Sequence, residues 1–216
     1  MQIRINQTRA NSGHVFEIIL DDKASYHART SWISGCFQSV LTDPENTTIL
    51  KTEYSTKIGL KNAIPLKWIF GIPQVSKSCA VMGAGGATGA FWRETTGFLK
   101  SCYVVDFDGV RLRGYCTSRG KTSYVSLYDA SDTTQVALLV RPLDATNEES
   151  TYTLYLLDTV NCDPVVLAFF AVYYDNWIYA EGTEATRGSE TNWKWTSSPY
   201  NDKYDPAWLS KYFSLS

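Results

Sequence analysis

From residue 14 to about residue 160 the chain alternates between short apolar runs and turn signals, a pattern typical of an antiparallel meander. The clearest hairpin joins residues 102–107 to residues 110–115 through Asp108-Gly109. This pair suits a type I′ turn because glycine adopts positive φ at no steric cost. Further turns are predicted at residues 119–121 and 129–132. The pattern therefore predicts a mainly β fold.

The turn pattern repeats at an offset of 86 residues. Asp43 corresponds to Asp129, each followed at the fourth and fifth positions by two threonines, and Asp22 corresponds to Asp108. The shared offset indicates two copies of one meander. Chance is the alternative, because aspartate and threonine are common in turns. Two such meanders would close into one barrel and leave no exposed sheet edge.

One segment, residues 164–180, breaks the strand pattern. Asp163 and Pro164 suit a helix start. Aspartate caps the first turn, and proline has no N–H group at a position where that group would have no hydrogen-bond partner within the helix. Residues 165–174 carry no charge, and the apolar character continues past Asp175-Asn176. A helix that is apolar on all sides is buried, and a closed barrel would enclose it, with Asp175-Asn176 near the barrel mouth. The alternative is a central strand rich in β-branched and aromatic residues.

Residues 183–216 have a different composition. The segment is polar up to residue 203, and residues 205–213 then resemble a capped helix with one apolar face. We predict a barrel with its central helix over residues 1–182 and an extension over residues 183–216 packed on its outside. The helix at 164–180 is too short for a bilayer, which needs about 20 apolar residues, so we do not expect a transmembrane protein.

A meander with repeated aspartate-centred turns, followed by one apolar helix ending in Asp-Asn, resembles the tubby C-terminal-like superfamily. This group includes the LURP-one-related proteins and the phospholipid scramblases. The resemblance rests on residues 103–109, 127–129 and 163–176 and covers residues 14–182. It implies a closed antiparallel barrel of about twelve strands around a central hydrophobic helix. It also implies a non-enzymatic module that binds a phospholipid headgroup or a protein partner.

Two departures from this family are visible. The chain continues well past Gly182, where the family usually ends soon after its helix. Neither the basic phosphoinositide-binding positions of tubby proteins nor a scramblase calcium site matches particular residues of this sequence. No functional residue is therefore transferred from the family.

Charge and cysteine content limit the partners. The formal net charge is −2, which gives no general field that attracts nucleic acid, so we expect none as a partner. The cysteines are scattered, and with only His14 and His27 beside them they form no zinc-ligand pattern. We expect neither metal nor cofactor, and we interpret Cys36, Cys79, Cys102, Cys116 and Cys162 as reduced thiols of a cytoplasmic protein. The first eight residues show no secretory signal.

A lysine-rich stretch is the candidate binding site. It surrounds an apolar loop that contains Trp68, and its residues are Lys57, Lys61, Lys67, Trp68 and Lys77. Lysines beside exposed aromatic rings suit an anionic phospholipid surface, where each lysine contributes about 1 kcal/mol. The protein would then associate peripherally with a membrane. The alternative is that the apolar residues are core and the lysines are a solvated face.

Other patterns give weaker candidates. Trp193 and Trp195 would share one strand face and form a stacking platform for a carbohydrate, which is the alternative function. A hydrolase would have to use His14 or His27, and no Gly-x-Ser-x-Gly elbow is present. The glycine-rich loop at 83–89 lacks the following helix of a nucleotide site, so we interpret it as a strand connection. We predict no catalytic residue.

Overall fold

The structure is a computed structural model that describes residues 1–10, 13–22, 24–33, 36–54, 72–97, 100–142, 151–159, 161–178 and 200–215. The strands are β1 (Gln2–Ala10), β2 (Gly13–Leu20), β3 (Ala24–Ile33), β4 (Cys36–Thr42), β5 (Thr48–Tyr54), β6 (Gln74–Gly83), β7 (Thr88–Gly97), β8 (Lys100–Phe107), β9 (Val110–Arg119), β10 (Thr122–Tyr128), β11 (Gln135–Pro142) and β12 (Thr151–Leu156). Two α-helices follow, α1 (Pro164–Ile178) and α2 (Trp208–Leu215). Short 3-10 helices lie at Ala84–Gly86 and Asn201–Lys203.

The twelve strands form one closed antiparallel barrel. Each strand pairs with its neighbours in sequence, and β1 closes the barrel by pairing with β12. The predicted hairpin joins β8 to β9, with φ of 49° at Asp108 and 79° at Gly109. Positive φ at both central residues is the type I′ geometry, which matches the right-handed twist of the two strands. The prediction of a mainly β closed barrel is confirmed.

The 86-residue repeat is present in three dimensions. Strands β3 and β9 have the same bounds at this offset, as do β4 and β10. The equivalent turn residues Asn46 and Asp132 share a left-handed backbone, with φ of 63° and 61°. The strand register also shifts at equivalent places, beside Leu41 and beside Leu127. Two meanders of like geometry therefore build the barrel, as the sequence pattern indicated.

The repeated aspartates have a local reason. The Thr47 N–H donates to Asp43 Oδ1 at 2.7 Å, and the Thr133 N–H donates to Asp129 Oδ1 at 3.1 Å. In such turns the aspartate side chain accepts hydrogen bonds from backbone N–H groups that have no backbone acceptor. Hydrogen bonds from Ser131, Thr133 and Thr134 hold the pKa of Asp129 below its usual value. The spacing of aspartate and threonine is therefore turn chemistry.

Helix α1 is buried along most of its length. The Asp163 carboxylate accepts the Val165 N–H at 2.9 Å, which confirms the predicted cap. Side chains 166–176 are at most 3% exposed, and those of residues 166–174 share one core cluster with apolar residues of all twelve strands. Phe91 packs in this cluster with ring centroids 5.7 Å from Phe170 and 5.5 Å from Tyr173. The segment is a helix, so the central-strand alternative was wrong; residues 179 and 180 lie outside the described part.

Helix α2 packs on the other face of the sheet. Trp208 and Tyr212 are buried against Leu138 of β11. The adjacent residues Ala137 and Leu139 belong to the core cluster that contains α1. The Trp208 Nε1–H also donates to Gln135 O at 3.3 Å. The terminal helix with one apolar face is confirmed, although it begins at Trp208, after the predicted start at residue 205. The division at residue 182 stays a prediction.

Among the helices that the structure describes, none combines the length and the apolar character required to cross a membrane.

Candidate functional site

The predicted lysine site is described only in part. Lys77 lies on β6, whereas the other members lie outside the described residues, as does the tryptophan pair: Lys57, Lys61, Lys67, Trp68, Trp193 and Trp195. The Lys77 ammonium donates to the Trp177 carbonyl oxygen at 2.8 Å and lies 5.1 Å from the Trp177 ring centroid. The Tyr173 hydroxyl donates to the Lys77 carbonyl at 2.6 Å. Lys77 therefore bonds to the last turn of α1. The alternative that the lysines form a solvated face does not hold for this residue.

The same turn of α1 carries a buried carboxylate. Asp175 is 0% exposed, and its two oxygens accept hydrogen bonds from different strands. The Tyr152 hydroxyl donates to Oδ1, and Gln7 Nε2 donates to Oδ2 at 3.2 Å. His14 Nδ1 lies 3.8 Å from Oδ2 and contacts the Gln7 amide. Asp175 is enclosed, and these strand side chains supply the hydrogen bonds that water would supply at an exposed site. Its expected position near the barrel mouth stays a prediction.

Asn176 makes an adjoining polar contact. Its Nδ2 donates to Thr30 Oγ1 at 3.0 Å and to Ser39 Oγ at 3.1 Å, and these two hydroxyls are 2.9 Å apart. The Ser39 N–H donates to Thr52 Oγ1 at 2.8 Å. Asn176 Oδ1 is buried and has no hydrogen-bond partner within the described part of the chain. A buried acceptor without a partner is costly, so it is a natural contact point for a water molecule or a ligand donor.

Two arginines on other strands interact with side chains that belong to or contact this part of α1, Arg93 with Tyr173 and Arg141 with Tyr152. Arg93 on β7 donates to Ser101 Oγ from Nε at 3.0 Å and from Nη2 at 2.7 Å. Burial raises the pKa of Tyr173 well above its usual value, and the Arg93 charge opposes that rise. Arg141 on β11 is 8% exposed, with its guanidinium 5.8 Å from the ring centroid of Tyr152.

We name this set of side chains around residues 173–177 the polar collar. It takes one residue from each of eight strands: Gln7, His14, Thr30, Ser39, Lys77, Arg93, Arg141 and Tyr152. The collar and the helix turn together carry three permanent positive charges, on Lys77, Arg93 and Arg141, and one carboxylate, on Asp175. Positive charges in a partly desolvated site attract an anion more strongly than they would in water. This arrangement suits an anionic group.

Sequence reasoning missed most of the collar, although a signal was present. Gln7, Arg93 and Arg141 each follow a core residue by two positions, after Ile5, Phe91 and Leu139. Because alternate residues of a strand face the same side, each continues a row of core positions with a polar side chain. A polar residue at the end of an apolar row would have indicated the site.

A cavity of about 440 Å³ lies at the opposite end of α1. Its lining residues are Ala87, Phe107, Asp108, Val110, Asn161, Cys162 and Asp163. Asp163 is engaged in capping α1, and burial raises the pKa of the Cys162 thiol to about 12. A thiol with such a pKa is a poor nucleophile, so the cavity offers little chemistry.

The remaining sequence candidates have structural explanations. His27 is exposed on β3, as expected for a strand side chain. The glycine-rich loop is a tight connection followed by strand β7, which confirms the strand-connection interpretation. Gly89 is required there, because a Cβ would lie 2.1 Å from Asp106 O. Cys79, Cys102, Cys116 and Cys162 are free thiols, and among the described residues no three His, Cys, Asp or Glu side chains are placed to hold a metal ion.

Comparison of the chain with family models, curated proteins and solved structures finds no match. The resemblance to the tubby C-terminal-like superfamily therefore stays a prediction, as does the carbohydrate alternative, which depends on Trp193 and Trp195.

Proposed function

We propose that this protein is a non-enzymatic barrel that binds an anionic phospholipid headgroup at the polar collar and acts as a tether or regulatory module. The observation that carries the proposal is that Lys77 donates to the last turn of α1, while Arg93 acts electrostatically on Tyr173 and Arg141 lies beside Tyr152, which donates to Asp175. Cations from three strands in this part of the fold favour an anion in a protein of negative net charge.

We further propose that α1 fills the barrel interior, as in the tubby C-terminal-like superfamily. In support, the helix contacts β1, β3, β4, β8 and β12, which lie on different sides of the closed sheet. Its buried side chains also share one cluster with residues of every strand. An apolar helix in this position would leave room for polar groups only at its ends, and the collar lies at its C-terminal end.

The lysine-rich stretch continues in sequence into the strand that carries Lys77. Strand β5 ends at Tyr54, and β6 begins at Gln74, three residues before Lys77. Lys57, Lys61 and Lys67 therefore lie in the sequence between the end of β5 and the strand that carries Lys77. We propose that these lysines add to the attraction for an anionic membrane, to which the protein would bind peripherally.

Vesicle co-sedimentation tests the proposal. The protein should bind vesicles that contain phosphatidylglycerol and should not bind pure phosphatidylcholine vesicles. Binding should weaken as salt increases, because screened charges attract less. R93Q and K77Q should each weaken binding by about fivefold, the effect of losing roughly 1 kcal/mol of charge attraction. R111Q is the matched control, since Arg111 is an exposed arginine that pairs with Asp106 on β8.

Two results would refute the proposal. One is an absence of binding to any anionic vesicle, which would leave a protein partner as the alternative. The other is R93Q and K77Q binding as tightly as R111Q while all three variants melt at the wild-type temperature. Melting temperatures separate lost binding from lost folding.

A further inference from the structure

The hydrogen-bond pattern around Gln7 defines the state of His14. A carboxylate oxygen accepts hydrogen bonds, so the Gln7 amide must turn its NH₂ group toward Asp175. The second hydrogen of that NH₂ group then points at His14 Nδ1, which contacts the same nitrogen. Nδ1 is therefore an acceptor, and the His14 imidazole is neutral with its proton on Nε2.

Protonation of His14 changes these contacts. The imidazolium carries a hydrogen on Nδ1, which can no longer accept from the Gln7 NH₂ group. The new positive charge lies 3.8 Å from Asp175 Oδ2, at a carboxylate that is 0% exposed. Opposite charges attract strongly at this distance when solvent is excluded. The protonated state thus exchanges one neutral hydrogen bond for an ion pair with Asp175.

Neighbouring strands bring further groups toward His14. On β1, Gln7 contacts its ring, and Arg9 is opposite His14 in the strand register. Thr30 is opposite on β3 and is neutral. From β12 the Tyr152 hydroxyl reaches Asp175, and the Arg141 guanidinium stacks on the Tyr152 ring. Phe16 lies beside the imidazole, with ring centroids 6.4 Å apart. Asp175 is the carboxylate that the described residues place beside His14, with Oδ2 3.8 Å from Nδ1.

We infer that the polar collar is a proton-dependent anion site, in which protonation of His14 neutralises Asp175 and strengthens binding of an anionic phosphate or sulfate group. The inference rests on the proposed function, because it concerns regulation of the same site. With Asp175 neutralised, its carboxylate no longer repels a bound anion. Affinity should rise as pH falls through the range in which histidine changes its charge.

The chain provides a matched control, because its only two histidines are His14 and the exposed His27. Binding to phosphatidylglycerol vesicles and to free sulfate should be measured for wild type, H14Q and H27Q between about pH 5.5 and pH 8. Neither probe changes its own charge in this range. Wild type and H27Q should bind about fivefold more tightly at the acidic end, as expected for one added charge near the site. H14Q should show a flat profile.

The two probes distinguish the source of the anion. Equal pH dependence with sulfate and with vesicles indicates recognition of the anionic group itself, whereas pH dependence with vesicles alone indicates a lipid headgroup at a membrane surface. Both results support proton-dependent binding at the collar. A pH-independent affinity in wild type, or an unchanged profile in H14Q, overturns the inference and leaves the proposed function standing. No binding of wild type at any pH overturns both.

A second measurement uses the wild-type protein, so its result does not depend on whether H14Q folds. Nitrogen-15 spectra of the wild-type imidazoles report which ring nitrogen carries the proton. His14 should show the Nε2–H form at pH 8, and its titration midpoint should coincide with the midpoint of the binding profile. An Nδ1–H form, or a midpoint unrelated to binding, would contradict the inference.

Discussion

Replacing the buried Asp175 by asparagine tests the central polar contact of the fold. The substitution keeps the size of the side chain but removes its charge and one of its two acceptor oxygens. At present the Tyr152 hydroxyl and the Gln7 amide both donate to the carboxylate. In D175N the new NH₂ group must face one of these donors, so one hydrogen bond is lost and one buried donor has no partner.

The cost follows from those two changes. A hydrogen bond to a charged group contributes about 1.5 to 3 kcal/mol, and a buried group without a partner costs about 1 to 3 kcal/mol. Because partial rearrangement reduces the sum, we expect D175N to lower the free energy of unfolding by about 3 kcal/mol. For a chain of this length that corresponds to a melting temperature lower by about 6 to 12 °C.

Urea unfolding, followed by tryptophan fluorescence, measures this change. D22N is the control, because Asp22 pairs with Arg4 at the surface and asparagine tolerates its φ of 58°. The control should change stability by less than about 0.5 kcal/mol. A double-mutant cycle of D175N with Y152F should give a coupling energy of about 1 kcal/mol or more. A loss below about 1 kcal/mol in D175N, or no coupling, would refute this account of the buried carboxylate.

Three further predictions concern other parts of the molecule. Burial raises the pKa of Cys79 to about 12, so the native thiol should react with disulfide reagents at pH 8 far more slowly than the unfolded chain. The same shift stabilises the fold at neutral pH, and this contribution should disappear between about pH 9 and pH 12, as unfolding at increasing pH would show. G89A should prevent normal β7–β8 pairing, whereas G97A should fold, because its Cβ would meet nothing closer than 3.7 Å; circular dichroism distinguishes them. W208A should lower the free energy of unfolding by about 3 kcal/mol and make α2 susceptible to limited proteolysis. If α2 resists proteolysis in W208A as well as it does in the wild type, the helix does not depend on Trp208 for its docking.

The fold was largely predictable because its signals are local. Asp108-Gly109 specifies a hairpin through backbone preference alone, and Asp163 with Pro164 specifies a helix start in the same way. The repeat at 86 residues was visible because equivalent turns need equivalent residues, as Asn46 and Asp132 show by their shared left-handed backbone. Each of these inferences depends on a few neighbouring residues.

The candidate site was not predictable in the same way, because its members are distant in sequence. Gln7 and Asp175 are 168 residues apart, and nothing local to either residue indicates the other. Lys77 was grouped with its neighbouring lysines, although its charge is directed to the end of α1. Only closure of the barrel determines which strand residues meet one turn of the helix.

The sequence by itself therefore determined the strands, the turns, the repeat and the apolar helix, since periodicity and turn chemistry act over short distances. The tertiary structure alone decided that Asp175 is buried, that His14 lies beside it, and that Lys77 donates to the same turn of α1. The physical reason is that burial and charge interaction depend on distances through space, and these distances are set only when β1 pairs with β12 and the barrel closes.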